Sequence, residues 1–364
     1  MAVNGTSLPT TSWSDYSSAY SGEYEENYED DAQQKVLLKS MHVLSMVIYS
    51  IAFVLGVTGN GLVIFITGFR MKRTVSTIWF LNLAVADFMF TFFLPLSVAY
   101  IAMDFHWPFG LAMCKINSAM AFFNLYASVY LLMVISIDRC ISVMLPVWAQ
   151  NYRTPRLALL VALAVWVLAL VLCSPYLYFR YTDHSPNNKD IIHCYYNFNT
   201  APEGAPKEEI HRIININHRA MAISRFILGF LIPFAVIVCC YGAILVRLRR
   251  GHKIRSNKPF KVIAIVIISF FLCWFPYHVF SFLELHHTQS LHTALIIGFP
   301  LATSLAFINS CLNPILYVFM GQDFKEKLRR SLFSAFESAF TEDAVSTTAN
   351  TKSKSSMEME SQAT

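Results

Sequence analysis

Seven long apolar segments dominate this 364-residue chain, and they constrain its fold more than any other feature. They lie at residues 42–69, 75–102, 111–145, 156–179, 220–247, 259–285 and 292–319. About 20 residues of helix are enough to cross a bilayer, and every segment is longer than that. Only 14% of the residues are charged, against about a quarter in soluble domains. We therefore predict an all-α membrane protein, a seven-transmembrane helix bundle.

Lysine and arginine gather in alternate connections between these segments. They are frequent at residues 70–73, 247–261 and 325–330 and scarcer in the connections between. Cytoplasmic loops carry such an excess, so we predict an external N-terminus, a cytoplasmic C-terminus and a multi-pass protein of the plasma membrane. The net charge of +5 then describes an inner face beside anionic lipid, and it does not indicate nucleic acid as a partner.

The two ends of the chain are polar and differ from the membrane domain, residues 41–320. Residues 1–40 are predicted to be an acidic extracellular tail, with a glycosylation acceptor triplet at Asn4. Residues 321–336 place apolar side chains among lysine and arginine at helical spacing, which predicts an amphipathic helix on the inner leaflet. Residues 337–364 are rich in serine and threonine and are predicted to be a disordered cytoplasmic tail.

Two of the eight cysteines lie on the predicted external side. Cys114 is at the outer end of the third segment, and Cys194 is in the long connection before the fifth. Because that side of the membrane is oxidising, we expect them to form a disulfide.

Several polar residues interrupt the apolar segments: Asp87, Asn124, Ser128, Asn309 and Asn313. An ionisable group in hydrocarbon costs about 2.5–3.5 kcal/mol on insertion scales, so each one suggests a partner or a task. In a bundle these residues could meet in a small cavity lined by oxygen atoms, which suits a sodium ion better than zinc. They could also serve only as hydrogen-bonding contacts between helices. We predict no required cofactor, and a possible allosteric sodium ion.

Six short strings in fixed order resemble the rhodopsin-like (class A) G-protein-coupled receptors over residues 40–333. They are GNGLV, LNLAVAD, IDRC, Trp166 of the fourth segment, CWFP and NPILY. Longer strings are similar to the leukocyte chemoattractant group of that family. LELHHT and MGQDFK resemble the chemerin receptors, whereas WAQNYRT and the tail FESAFTEDAVSTTANT resemble the formyl-peptide receptors. The resemblance implies a receptor for a peptide or small-protein chemoattractant, most similar to chemerin.

The resemblance also implies an outward-facing pocket in which Arg225 is the principal ligand contact. Its planar, permanently charged guanidinium suits a ligand carboxylate or backbone carbonyl, although an internal pair with Glu284 is an alternative. Phe122 occupies a position where the formyl-peptide receptors carry an aspartate, which disfavours formyl-methionine as the ligand. Further candidates for the pocket rim are Arg180, Tyr100, Asn117 and His193.

On the inner side, the resemblance assigns Asp138 and Arg139 to a switch. Asp138 would hold Arg139 in the silent state and release it toward an inhibitory-class (Gi/Go) G protein. Other positions matching the family's switch residues are Tyr241, Trp274, Pro276, Asn313, Pro314 and Tyr317. The tail would be phosphorylated by receptor kinases and would bind arrestin. No enzyme is expected, and a receptor that scavenges the same ligands without signalling is the alternative.

Overall fold

The computed structural model describes residues 28–185, 188–250, 258–286 and 291–320 of the chain. The α-helices of these residues are α1 Tyr28–Phe65, α2 Val75–Ala102, α3 Gly110–Met144, α4 Pro146–Tyr152, α5 Pro155–Phe179, α6 Lys207–Phe226, α7 Ile232–Arg250, α8 Lys258–Glu284 and α9 His292–Met320. A π-helical turn, Ile66–Arg70, extends α1. A second π-helical turn, Ile227–Leu231, joins α6 to α7.

Seven of these helical stretches are long and apolar enough to cross a membrane, which confirms the predicted fold class. They are α1 with its π-helical turn, α2, α3, α5, the continuous α6–α7 helix, α8 and α9. The short helix α4 connects the third stretch to the fourth. The predicted amphipathic helix at 321–336 and the tail at 337–364 lie outside the described residues.

The fifth membrane-spanning stretch starts with α6 at Lys207, which is 13 residues before the start of the predicted segment at residue 220. Its first turns carry the polar sequence KEEIHRIININHR, which a search for apolar segments does not detect. Glu208 and Glu209 lie in the first turn, where negative charge is favourable to the helix dipole. Asn217 anchors this extension through a 2.9 Å hydrogen bond to the Phe198 carbonyl. Helix α1 likewise begins at Tyr28, inside the predicted tail.

Helix α3 lies at the centre of the bundle and packs against α2, α5 and α7. By contrast, α5 exposes Leu160, Leu163 and Val171, the apolar surface expected of a helix that faces lipid. Helices α1 and α2 approach closely at Gly56, where an added Cβ would lie 2.4 Å from the Thr91 Cγ2 atom. This close contact places polar residues of α1 beside the core of the bundle.

A hairpin, called the external hairpin because of the predicted orientation, covers the N-terminal end of α3. Strand β1, Arg180–His184, pairs antiparallel with β2, Ile192–Tyr196, and the register sets Thr182 opposite Cys194. Cys194 forms a disulfide with Cys114, which confirms that prediction. The bond lies in a buried cluster with Tyr100, Phe105 and Trp107. The hairpin is thus attached directly to α3, at the end of the bundle that is predicted to be external.

The chain divides into two units, Met1–Leu316 and Tyr317–Thr364. The spans and the external hairpin belong to the first unit. Of the second unit, the structure describes the backbone of the last turn of α9.

Candidate functional site

The π-helical turn between α6 and α7 decides where Arg225 points. Such a turn adds one residue to the helix, which rotates everything before it by about 100° relative to an uninterrupted α-helix. Arg225 lies in the last turn of α6, immediately before this insertion, and its side chain is 8% exposed. The insertion therefore orients a permanently charged group toward the interior of the bundle, where charge is costly to bury.

Aromatic rings and one hydroxyl surround the Arg225 guanidinium. Its carbon atom lies 5.0 Å from the Tyr277 ring centroid and 5.3 Å from that of Phe122. Its Nη2 donates a 2.9 Å hydrogen bond to Ser281 Oγ, and its Nε has no hydrogen-bond partner. Within the part of the chain that the structure describes, no carboxylate forms an ion pair with it. The rings stabilise the cation without neutralising it, so it remains available to an anion.

The sequence left open a pair between Glu284 and Arg225; in the structure they form no ion pair, and their charges interact at longer range. Glu284 lies three residues after Ser281 and seven after Tyr277 on α8, so all three share one face of that helix. Its side chain is half-buried and forms no ion pair with a described residue. The structure therefore places a carboxylate near the mouth of the bundle and a cation deeper within it.

Arg180 is a second buried cation without a carboxylate partner among the described residues. Its guanidinium carbon lies 4.4 Å from the Tyr196 ring centroid, and its Nε donates to Cys194 Sγ at 3.2 Å. Burial raises the pKa of Tyr196 to about 12, although the positive charge of Arg180 acts in the opposite direction. The phenol therefore stays neutral at physiological pH and presents an uncharged ring to the cation.

The other predicted rim residues have structural partners. The Tyr100 hydroxyl is within 3.3 Å of the Cys194 nitrogen, and the His193 ring is 3.0 Å from the Phe105 carbonyl oxygen. Both side chains are therefore held in the disulfide cluster. Asn117, which is half-buried, donates a 3.2 Å hydrogen bond to Ser97 Oγ.

A continuous series of ring contacts connects the external hairpin with the centre of the bundle. Phe122 stacks on Tyr176 with centroids 3.7 Å apart, and Tyr176 meets Tyr196 edge to face at 6.4 Å. The Tyr277 ring lies 6.4 Å from that of Phe122 and meets Trp274 edge to face at 5.7 Å. Trp274 is 4% exposed, lies two residues before Pro276, and its indole nitrogen has no hydrogen-bond partner. A change at Arg225 can therefore reach Trp274 through one intervening ring.

A buried histidine of α8 that the sequence analysis missed, His278, lies near Arg225. His278 is 1% exposed, and neither ring nitrogen has a hydrogen-bond partner. Its ring lies 5.1 Å from Phe230 and 5.6 Å from Phe226. His278 lies two residues after the string CWFP, but without the neighbouring helix nothing in the sequence marked it as buried.

Four of the five predicted cation-binding residues meet in the bundle, namely Asp87, Asn124, Ser128 and Asn313. Asn313 Nδ2 donates to Asp87 Oδ2 at 2.7 Å, and Ser128 Oγ donates to Asn124 Oδ1 at 2.8 Å. Asn309 is buried, and its Oδ1 has no hydrogen-bond partner.

Ser310, which the sequence analysis missed, connects this polar cluster. Its hydroxyl accepts from Asn124 Nδ2 at 2.7 Å, and its carbonyl accepts from Asn60 Nδ2 at 2.9 Å. Oxygen atoms of Asn60, Asp87 and Asn309 remain buried without hydrogen-bond partners. The cluster offers one carboxylate and several amide oxygens, the ligand chemistry that a hard cation prefers.

The predicted pairing of Asp138 with Arg139 is wrong in this conformation. Asp138 instead accepts from Arg153 at both oxygens, while Arg139 Nη2 donates to Ser76 Oγ at 2.8 Å. The physical reason is geometric, because the planar Arg153 guanidinium reaches both carboxylate oxygens at once. The side chains of Asp138 and Arg139 leave the helix about 100° apart, so Arg139 is the less direct partner of Asp138 while Arg153 is in place.

The remaining switch positions are partly described. Tyr241 is half-buried on α7, and its hydroxyl has no hydrogen-bond partner. Asn313 and Pro314 are buried on α9. The side chain of Tyr317, the acceptor Asn4 and the phosphorylation tail lie outside the described residues.

Sequence comparison finds the same organisation in a large family. The model of the family described as "7 transmembrane receptor (rhodopsin family)" matches residues 59–317. Chemerin-like receptor 1 of Sus scrofa is 48% identical over 336 residues, covering 89% of this chain and 92% of the relative. The human protein of that name is 47% identical, with 90% of each chain covered. The C3a anaphylatoxin chemotactic receptor of Danio rerio is 44% identical, covering 91% of this chain and 87% of the relative.

Proposed function

The chain belongs to the rhodopsin family of seven-transmembrane receptors, and we propose that its ligand is a peptide or small protein of the chemerin class. Membership makes it a multi-pass signalling receptor of the plasma membrane and not an enzyme. The proposed partners on the inner side are a Gi/Go heterotrimer, receptor kinases and arrestin. The proposed orientation has the N-terminus outside and the C-terminus inside.

The observation that carries the ligand proposal is the buried Arg225 guanidinium, which no carboxylate of the described residues approaches within ion-pair distance. A guanidinium that is 8% exposed and has no carboxylate partner among the described residues attracts an anionic group entering the pocket. The C-terminal carboxylate of a peptide supplies such a group on a narrow, flexible end. In this arrangement the carboxylate accepts two parallel hydrogen bonds from Arg225, and Arg180 holds a more external part of the ligand.

Three features favour a chemerin-class peptide over a formylated one. Relatives named chemerin-like receptors 1 and 2 match over about 90% of this chain. Phe122 stacks on Tyr176 below Arg225, so an apolar surface occupies the place where the formyl-peptide receptors carry an aspartate. Glu284, at the mouth, favours a polar or cationic group in the part of the ligand that remains outside.

The route from ligand to G protein follows the ring contacts. A carboxylate bound to Arg225 competes with the Tyr277 ring for the cation, and Tyr277 contacts Trp274 directly. A ligand shifts a conformational equilibrium only through different contacts in the two states. We propose that the changed Tyr277 contact supplies this difference and that α8 moves at Pro276.

We also propose an allosteric sodium ion at the polar cluster of Asp87. The unpartnered oxygen atoms of Asn60 and Asp87 support it, because a buried polar atom without a partner is costly. When bound, the ion would supply positive charge to the Asp87 carboxylate. The chain requires no other cofactor under this proposal.

One experiment tests the proposed function. Cells expressing the receptor are exposed to C-terminal peptides of chemerin, formylated peptides and C-terminal peptides of C3a, and Gi activation and arrestin recruitment are recorded together with surface expression. We expect chemerin peptides to activate both responses at the lowest concentration. Strong binding with uptake of ligand but without G-protein activation would instead identify a scavenging receptor. Activation by formylated peptides alone would overturn the ligand assignment.

A further inference from the structure

A third charged residue occupies the cytoplasmic switch that the sequence analysis assigned to Asp138 and Arg139. Arg153 Nε donates to Asp138 Oδ1 at 2.7 Å, and Arg153 Nη2 donates to Asp138 Oδ2 at 2.9 Å. The Asp138 side chain is 10% exposed and that of Arg153 is 28% exposed. Both carboxylate oxygens are therefore used by one planar fork, the strongest geometry of such a pair.

Arg139 is held by a different and weaker contact. Its Nη2 donates to Ser76 Oγ at 2.8 Å, and its Nε is buried without a hydrogen-bond partner. Arg153 Nη2 also reaches Ser76 Oγ, at 3.3 Å. One serine hydroxyl thus joins the two arginines, while only Arg153 is charge-paired with Asp138.

The position of Arg153 depends on the short helix α4. Arg153 follows α4 directly, and its backbone N–H donates to the Ala149 carbonyl at 3.0 Å. The helix presents Val147, Trp148 and Tyr152 outward, and the last two rings stack with centroids 5.3 Å apart. A displacement of α4 would therefore carry Arg153 with it.

We propose that Arg153 is a positioning residue that withholds Asp138 from Arg139 and so keeps Arg139 available to the G protein. This inference rests on the proposed G-protein coupling. A carboxylate that is 10% exposed needs a cation, because an unpaired buried charge is strongly unfavourable. When Arg153 is absent, the nearest remaining cation is Arg139, on the same helix and in contact with the same serine. Loss of Arg153 therefore transfers Asp138 to Arg139 and lowers activity without ligand.

The first test measures agonist-independent nucleotide exchange on purified receptor with a Gi heterotrimer. Arg153→Ala should lower the exchange rate by about threefold, the change that a partly exposed ion pair supports. Arg153→Lys should restore part of it, since it keeps the charge and loses the planar fork. Arg156→Ala is the matched control, because it removes the same charge from an exposed position near the start of α5 and should change nothing.

The decisive comparison repeats Arg153→Ala in an Asp138→Asn receptor. If Arg153 acts by occupying Asp138, its removal has no effect once the carboxylate is gone. An equal fall in exchange in both backgrounds would show a purely structural role for Arg153 and overturn the proposal.

A second measurement separates this inference from the proposed coupling. Melting temperatures of the four receptors, wild type, Arg153→Ala, Asp138→Asn and the double variant, need no G protein. The proposal predicts that the double variant melts close to the single variants, and additive losses would overturn it. Absence of exchange by the wild-type receptor with every agonist would instead refute the coupling, while the melting comparison would still decide the pairing.

Discussion

The replacement of Arg225 by alanine should weaken activation by any ligand that ends in a carboxylate. A hydrogen bond to a charged group contributes about 1.5–3 kcal/mol, which corresponds to about a 10- to 150-fold loss of potency. The upper part of that range applies here, because Arg225 is 8% exposed and no carboxylate of the described residues lies within ion-pair distance of it. Arg225→Lys keeps the charge but not the bidentate fork, so we expect an intermediate loss of about tenfold.

The assay compares each peptide agonist as a free acid and as a C-terminal amide. On the wild-type receptor, amidation should reduce potency by about as much as Arg225→Ala does. On the Arg225→Ala receptor, acid and amide should be nearly equal, because the contact that distinguishes them is gone. Ser281→Ala is the matched control. It removes the neutral partner at 2.9 Å and leaves the guanidinium in place, so it should cost about fivefold or less.

Two results would refute this reasoning. An equal loss for acid and amide would show that Arg225 contacts another part of the ligand. Unchanged potency in Arg225→Ala, at equal surface expression, would remove Arg225 from the pocket altogether.

Three further predictions concern other parts of the molecule. Raising sodium chloride at constant ionic strength, with choline as the balancing cation, should lower agonist affinity in the wild type and not in Asp87→Asn, as measured by radioligand competition. Gly298→Ala should lower the melting temperature, at a cost of about 1–3 kcal/mol, because the added Cβ would lie 2.0 Å from Phe280 Cζ; a second change, Phe280→Ala, should recover part of that loss. Burial raises the pKa of Tyr196 to about 12, from about 10 in the unfolded chain. The neutral phenol therefore contributes fully to the stability of the fold below pH 10, and this contribution is lost as the pH rises toward 12. Tyr196→Phe should reduce the fall in melting temperature between pH 10 and pH 12.

The motif IDRC predicted which residues form the switch but not the partner of Asp138. The motif identified Asp138 and Arg139 as a functional pair, but the sequence carried no sign that Asp138 contacts Arg153, 15 residues away. The string WAQNYRT included Arg153, but the position of the Arg153 side chain depends on the length and direction of α4, which the string did not give. An adjacent acid and base suggested pairing, whereas in the structure Arg153 occupies both oxygens of Asp138.

The sequence predicted most residues of the polar cluster but missed Ser310. Asp87, Asn124 and Asn313 stood out because polar side chains are rare in apolar segments. Ser310 did not, since serine is common at helix contacts and bonds to its own helix. Its link to Asn124 spans 186 residues and appears only once α3 and α9 pack together.

The sequence by itself determined the seven helices and the external disulfide pair. Both follow from local physics, because a bilayer requires each crossing segment to be apolar and to satisfy its own backbone hydrogen bonds, and cysteines on the oxidising side pair. Tertiary structure alone decided the polar extension of α6, the π-helical turn that orients Arg225, the rings around its guanidinium and the partner of Asp138. These features depend on contacts between helices that are distant in sequence. A small rotation or shift of one helix changes which of several chemically similar side chains a residue contacts.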